Sequence, residues 1–268
     1  MVARSGRDTL SVTVLWVPAM RPYWQFTLNA FSRGLAYRQN LLLRVVANFV
    51  GVLIQVAIWR ALLTDHAAAE VTLPEMVTYA ILSTCIGILQ LGGVMSSVDQ
   101  RLNSGTIAVD LVRPLSYPFY LAADSLGTTV FSGLFAMLPT LALAALAFGL
   151  TPPASPAAFA GFLVAVIIAM AMGFAFGHLA ALLAFWMLTT LVFEWTLLGF
   201  MKLFADTFLP LWFFPGWLAA IAGWLPFRYL SFVPIAVYLG RIPPDQLGST
   251  LLLGAAWTVG LLGLCGWL

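Results

Sequence analysis

Apolar residues in this chain gather into runs of about 20, the length that carries a helix across a bilayer, with short polar interruptions between them. The runs cover 43–63, 76–98, 126–150, 157–177, 182–203 and 246–268. None has the ten-residue alternation of a membrane β-strand. The predicted fold is therefore an all-α integral membrane protein with six transmembrane helices.

Ahead of the first run the rhythm changes. Trp24, Leu28, Phe31 and Leu35 recur at helical spacing, with Arg21, Gln25, Arg33 and Arg38 on the rest of the wheel. This predicts an amphipathic helix in the membrane interface, its aromatic side among headgroups and its arginines toward anionic lipid or a partner. The competing reading is a polar extension without a specific role. Residues 1–42 are expected to be a cytosolic N-terminus and 43–268 the membrane domain.

The interruptions differ in kind. Residues 64–75 carry Asp65, Glu70 and Glu75 but no Lys or Arg, which places them outside the cell. Residues 99–119 collect Asp99, Arg101, Asp110 and Arg113 together with Gly105 and Pro114, and read as a structured cytosolic loop: a short helix after Asp99, stopped by Pro114. Asp110 and Arg113 are spaced to pair on one helical turn. The Thr151-Pro-Pro-Ala-Ser-Pro156 turn ends the third span, and an almost chargeless bend near His178 predicts that the fourth and fifth spans are antiparallel neighbours. Between 207 and 242, Pro210, Pro215, Pro226 and Pro234 exclude one straight helix. Two short helices that enter and leave by the extracellular face fit better, with Trp212, Trp217, Trp224 and Tyr229 at headgroup depth. Pro210, Pro215, Gly216 and Pro226 would shape this re-entrant region as a gate.

Composition supports the membrane assignment. With 62% hydrophobic and 8% charged residues and a mean hydropathy of +0.99, the chain cannot cover a soluble globule with polar surface. On a six-span path Arg4, Arg7, Arg21, Arg33, Arg38, Arg44, Arg101 and Arg113 share one side, against Arg60, Lys202, Arg228 and Arg241. The positive-inside bias then puts both termini in the cytosol of a multi-pass cell-membrane protein. The N-terminus lacks the form of a cleaved signal, because Pro18 interrupts the short apolar patch after Arg4, Arg7 and Asp8. No Gly-x-x-x-x-Gly-Lys-Ser/Thr phosphate loop is present, so ATP hydrolysis by this chain is not expected.

Candidate chemistry is sparse. Glu194 falls near the middle of the fifth run, where an unpaired carboxylate costs about 2.5–3.5 kcal/mol. It can line a substrate path, hold a proton or pair with a neighbouring helix, or serve as a protonated or hydrogen-bonded structural residue. His178 reads as an interfacial residue with no second ligand spaced for a metal site. Cys85 and Cys265 read as small hydrophobes. Asp124 is expected near the interface, offsetting Arg113 or Arg101, while Lys202 and Asp206 can pair across a turn. Gly173 and Gly177 form a Gly-x-x-x-Gly that permits close helix approach.

The order Asn103-Ser-Gly-Thr-Ile-Ala-Val-Asp-Leu-Val-Arg-Pro-Leu115, Leu183-Ala-Phe-Trp186, Leu209-Pro-Leu-Trp-Phe-Phe-Pro-Gly-Trp217, Leu225-Pro-Phe227 and Tyr238-Leu-Gly-Arg-Ile242 resembles the membrane subunits of ABC-2 type transporters, in the branch of six-span permeases without a fused ATPase. The resemblance implies a permease subunit of an ATP-driven exporter. It would work as a homodimer or a heterodimer with a second permease, over two cytosolic ATPase subunits that hold ATP and Mg²⁺. This chain itself would need no cofactor and no nucleic acid. The loop between the second and third spans would then be the coupling element, carried by Asp99, Arg101, Asn103, Gly105, Ile107, Asp110, Leu111, Arg113 and Pro114. The N-terminal helix and the bend after the fourth span would be further contacts. Members of this branch usually continue past the last span into a short basic tail, and this sequence stops at Leu268. An ion-coupled carrier that uses Glu194, and a membrane-embedded lipid-modifying enzyme, are the alternatives. The carrier would show an inverted repeat and the enzyme a converging cluster of His, Asp and Glu; neither pattern is visible.

Overall fold

A computed structural model describes residues 20–36, 39–65, 71–90, 94–112, 116–184, 196, 199 and 210–267. Among these the chain is helical without strands, as the runs predict. Among the described residues five helices are long and apolar enough to cross a membrane: Asn40–Leu63, Leu73–Gln90, Tyr117–Phe148, Pro156–Leu182 and Pro244–Trp267. The predicted fifth span, 182–203, lies almost entirely outside the described residues, and Glu194, Lys202 and Asp206 lie outside them too.

In chain order the helices are α1 Met20–Ala36, α2 Gln39–Asp65, α3 Leu73–Gln90, α4 Val94–Asn103, α5 Ile107–Val112, α6 Tyr117–Ser132, α7 Leu138–Phe148, α8 Pro156–Ala184, α9 Gly216–Trp224, α10 Phe232–Tyr238 and α11 Pro244–Trp267. Between α6 and α7 a π-helical turn, Gly133–Met137, keeps the rod continuous. Its cause is local. Pro139 has no N–H to donate and its ring collides with the carbonyl four residues back, and one extra residue in the turn relieves both.

The core is organised around α3. From Met76 to Ser83 every residue is buried, as expected of a helix that is apolar on all sides and enclosed by its neighbours. α2 contributes Val52, Val56 and Trp59 to this cluster, α7 contributes Ala144, and α10 contributes Ile235 and Tyr238. By contrast α2 and α11 turn large apolar side chains outward, among them Leu42, Ile54, Leu252 and Val259. On a membrane protein these are lipid-facing positions.

Three expected boundaries move. The second span stops at Gln90 instead of continuing to Val98, because α4 leaves the axis and packs on α8. The crossing is close: a Cβ on Gly173 would lie 3.4 Å from Gln90 Cγ, and one on Gly177 would lie 3.4 Å from Val94 Cβ. The Gly-x-x-x-Gly thus forms the contact surface for the chain as it passes from α3 to α4. The third span starts at Tyr117, well before 126, with Pro118 in its first turn where a missing N–H costs nothing. The predicted bend near His178 does not occur. α8 runs through that position to Ala184, and His178, expected at the interface, is buried and stacked on Phe174.

The N-terminal helix has the predicted pattern and a clear packing logic. Trp24, Leu28 and Leu35 stay exposed, while Thr27 and Ala30 are buried against α6. Gly127 makes this possible, since a Cβ there would come within 2.2 Å of the Thr27 carbonyl oxygen. The Thr27 hydroxyl donates to the Ala123 carbonyl at 3.0 Å. Arg33 pairs with Asp124, so the partner of Asp124 among the described residues is an arginine of α1, and Arg113 lies outside them.

Candidate functional site

The polar stretch between the second and third spans folds as two short helices joined by a tight turn. α4 carries the chain through Asp99 to Asn103, and Gly105 then takes φ +70, a left-handed conformation that opens the way into α5. The helix therefore runs through Asp99 instead of starting after it. The turn is tied by Ser104 N–H to Gln100 O at 3.0 Å, Gly105 N–H to Leu102 O at 3.1 Å, and a 2.8 Å contact between the Ser104 and Thr106 hydroxyls.

This lobe is anchored by its apolar face. Val94, Val98 and Ile107 are buried with Tyr120 and Leu121 of α6 and Ala181 of α8. Arg101 lies over the Tyr120 ring, its guanidinium carbon 5.0 Å from the centroid. There a flat cation gains from the ring's negative face. Gln100, Ser104, Gly105, Thr106 and Ala108 point outward, and Val112 is 84% exposed. Asp99, Asn103, Asp110 and Leu111 are placed on α4 and α5 by the backbone, and Arg113 and Pro114 lie outside the described residues. Ile107 is thus the anchor, Arg101 a stacking contact and Gly105 the hinge of the turn. At the lobe's exit the Ser116 N–H donates to the Tyr23 hydroxyl at 3.3 Å, linking it to α1.

The proline-rich segment from Pro210 to Ile242 has another character. Pro210 precedes a 3-10 turn at Leu211–Phe213, Pro215 caps α9 with Gly216 at its first position, and Pro226 opens a second 3-10 turn, Pro226–Tyr229. α10 follows, with Val233 to Tyr238 all buried. Contacts fix both its ends along α3: Gln90, at the C-terminal end of α3, donates to the Leu230 carbonyl. At the other end Arg241 pairs with Glu75 at 2.8 Å and its guanidinium lies 5.9 Å from the Trp212 ring centroid. The Tyr238 hydroxyl donates to Thr151 O at 2.9 Å, and the Thr151 N–H donates to Thr78 Oγ1 at 2.9 Å. Trp217 and Trp224 are exposed, Trp212 is half-buried, and Tyr229 is buried against Gly254 of α11.

Sequence reasoning missed the anchoring residues of the lobe. Read as part of the second span, Val94 and Val98 lose their own signal, the four-residue spacing that puts both on one face of a helix. It also missed Gln90, Thr151 and Tyr238, whose partners are distant in sequence.

A bundle of lipid-length helices around an enclosed apolar helix, with a polar lobe at one end, is the architecture of a multi-pass membrane protein. A family model described as ABC-2 family transporter protein matches residues 64–266. The chain belongs to the ABC-2 transporter family and is a membrane transport permease. The match takes in α3 to α11, including the α4–α5 lobe and the proline-rich segment before α11. No match was found among curated proteins or among solved structures.

Proposed function

We propose that this chain is the membrane-spanning permease subunit of an ATP-driven exporter, working as a dimer with a second copy or a paralogous permease. Two separate cytosolic subunits bind ATP and Mg²⁺ and hydrolyse the nucleotide. The α4–α5 lobe is the part they move. The supporting observation is mechanical: the lobe joins the second and third spans, and Val94, Val98 and Ile107 bury it against α6 and α8. A push on its exposed polar side is therefore delivered to the spans and is not lost in a loose loop. Closure of the ATPases would bias a two-state arrangement of the bundle.

In this reading Asp99, Arg101, Asn103, Gly105, Ile107, Asp110, Leu111, Arg113 and Pro114 form the coupling element, and both termini lie in the cytosol of a cell-membrane protein. The α9–α10 segment re-enters from the extracellular side, with Pro210, Pro215, Gly216 and Pro226 setting the gate. Glu194 belongs to the fifth span as a pathway residue. The test is to purify the permease with its ATPase subunits and replace residues 99–112 by a Gly/Ser linker. Loss of complex assembly and of ATP-driven export is expected; unchanged assembly and export would sink the assignment.

A further inference from the structure

At the end of the bundle that carries the lobe, α1, α2, α4 and α6 surround a cavity of about 620 Å³. Small-molecule sites commonly run from about 300 to 1,000 Å³. Its polar wall is built by Arg33, Asn40, Arg44 and Gln100, and Leu41 and Phe131 contribute an apolar wall. Asp124 engages Arg33, whose side chain nonetheless stays 54% exposed. A guanidinium has five N–H donors, so one carboxylate leaves several of them available. Arg44 is exposed and has no ion-pair partner among the described residues. The lining thus offers two arginines, one of them partly engaged by Asp124, and two amide side chains. That set suits a phosphate, which arginine binds through paired N–H donors.

The depth of the site selects the source of the phosphate. The first span begins at Asn40, which puts Arg44 about one turn inside it. The side chains beside Arg44 are apolar and outward: Leu42 is 71% exposed, Leu43 67% and Val46 48%. The exposed Leu28 and Leu35 of α1 add to the same apolar border. A soluble phosphate compound has no use for such surroundings, whereas the headgroup of a phospholipid meets its own acyl chains at this level. We propose that this cavity binds the headgroup of an anionic phospholipid, Arg33 and Arg44 holding the phosphate and the acyl chains lying along Leu42, Leu43 and Val46. A bound lipid would tie α1 and α2 to the α4–α5 lobe, because Gln100 belongs to that lobe. The inference goes beyond the transport reading and stands without it.

The experiment uses the full chain in nanodiscs of phosphatidylcholine with or without phosphatidylglycerol, followed by extraction and native mass spectrometry of retained lipid. Wild type is expected to keep phosphatidylglycerol selectively. The R44Q variant should retain about five-fold less, the counterpart of about 1 kcal/mol per interfacial cation, and R60Q, remote from the cavity, should match wild type. Equal retention in R44Q and wild type overturns the proposal, as does equal retention of phosphatidylcholine. Displacement of the lipid by millimolar inorganic phosphate overturns the lipid assignment in favour of a soluble anion. Should R44Q fail to fold, a photo-crosslinking residue at Asn40 gives the second measurement. Labelling of phosphatidylglycerol supports the proposal, and labelling of a protein partner, or of phosphatidylcholine to the same extent, refutes it.

Discussion

The α4–α5 lobe and the α9–α10 segment are both places where glycine and proline interrupt an apolar chain, yet they settle in opposite environments. Around Gly105 the flanking Ser104 and Thr106 are exposed, and a Cβ on Gly105 would meet nothing within 4 Å. Around Gly240 the chain is crowded, since a Cβ there would lie 2.6 Å from Ala154 Cβ. The first element is held by one apolar face and leaves the other exposed. The second is enclosed by α3 and α8 and fastened by polar contacts at both ends. A helix breaker therefore marks where the chain turns, and the polarity of its flanks decides whether the turned segment ends on the surface or inside.

Matched truncations test this difference most strongly. Ile235 of α10 is fully buried in the main cluster and Ile107 of α5 lies at 9% exposure at the edge of a smaller one. Ile235→Ala should cost about 2–5 kcal/mol, toward the upper end because the enclosed site cannot collapse, with Ile107→Ala at the lower end. Thermal unfolding in a single detergent measures both, and equal losses would remove the distinction between the two regions.

Glycine replacements come next. Gly105 and Gly240 have almost the same φ, +70 and +71, so alanine at either meets the left-handed penalty of about 1–2 kcal/mol. Gly240→Ala must also displace Ala154, an overpacking cost of about 1–3 kcal/mol. The midpoint for Gly240→Ala should fall clearly below that for Gly105→Ala. The smallest effect belongs to the ion pair that fastens the end of α10. Arg241→Gln removes a partly exposed pair with Glu75 and should cost at most about 1 kcal/mol, shrinking as salt is added. A larger, salt-independent loss would assign that end of α10 to stacking on Trp212 instead.

Much of this was legible in the sequence, and the reasons for success and failure are physical. Length and hydropathy located the spans that begin near Leu43, Met76 and Gln246, because a bilayer enforces about 20 apolar residues per crossing. The amphipathic wheel of α1 was readable because its exposed stripe and its packed stripe differ in residue size as well as polarity. What failed were the ends. Val94 and Val98 look like more span, and only the small faces of Gly173 and Gly177 on a distant helix reveal that the chain has turned away. The bend assigned near His178 rested on scarce charge, which in a buried helix carries no information about direction. Asp124 found Arg33 across 91 residues, and no local spacing rule could have paired them.

The π turn at Gly133–Met137 bears on how the length of this chain can vary. A π turn stores one surplus residue without rotating what lies beyond it, so α6 faces α1 below the turn and α7 faces α2 and α3 above it, out of step with an unbroken 3.6-residue count. Loss of Pro139 would remove both the surplus residue and the ring that makes it necessary. Such a shortened chain should keep Thr140 and Ala144, both fully buried, on their inward face. Loss of Ala136 would leave the proline in an uninterrupted helix and kink it, and loss of a residue past Ala144 would swing the rest of the span by about 100°. In a lineage of such proteins, a one-residue gap at this point would record a change of helix type with no change of shape.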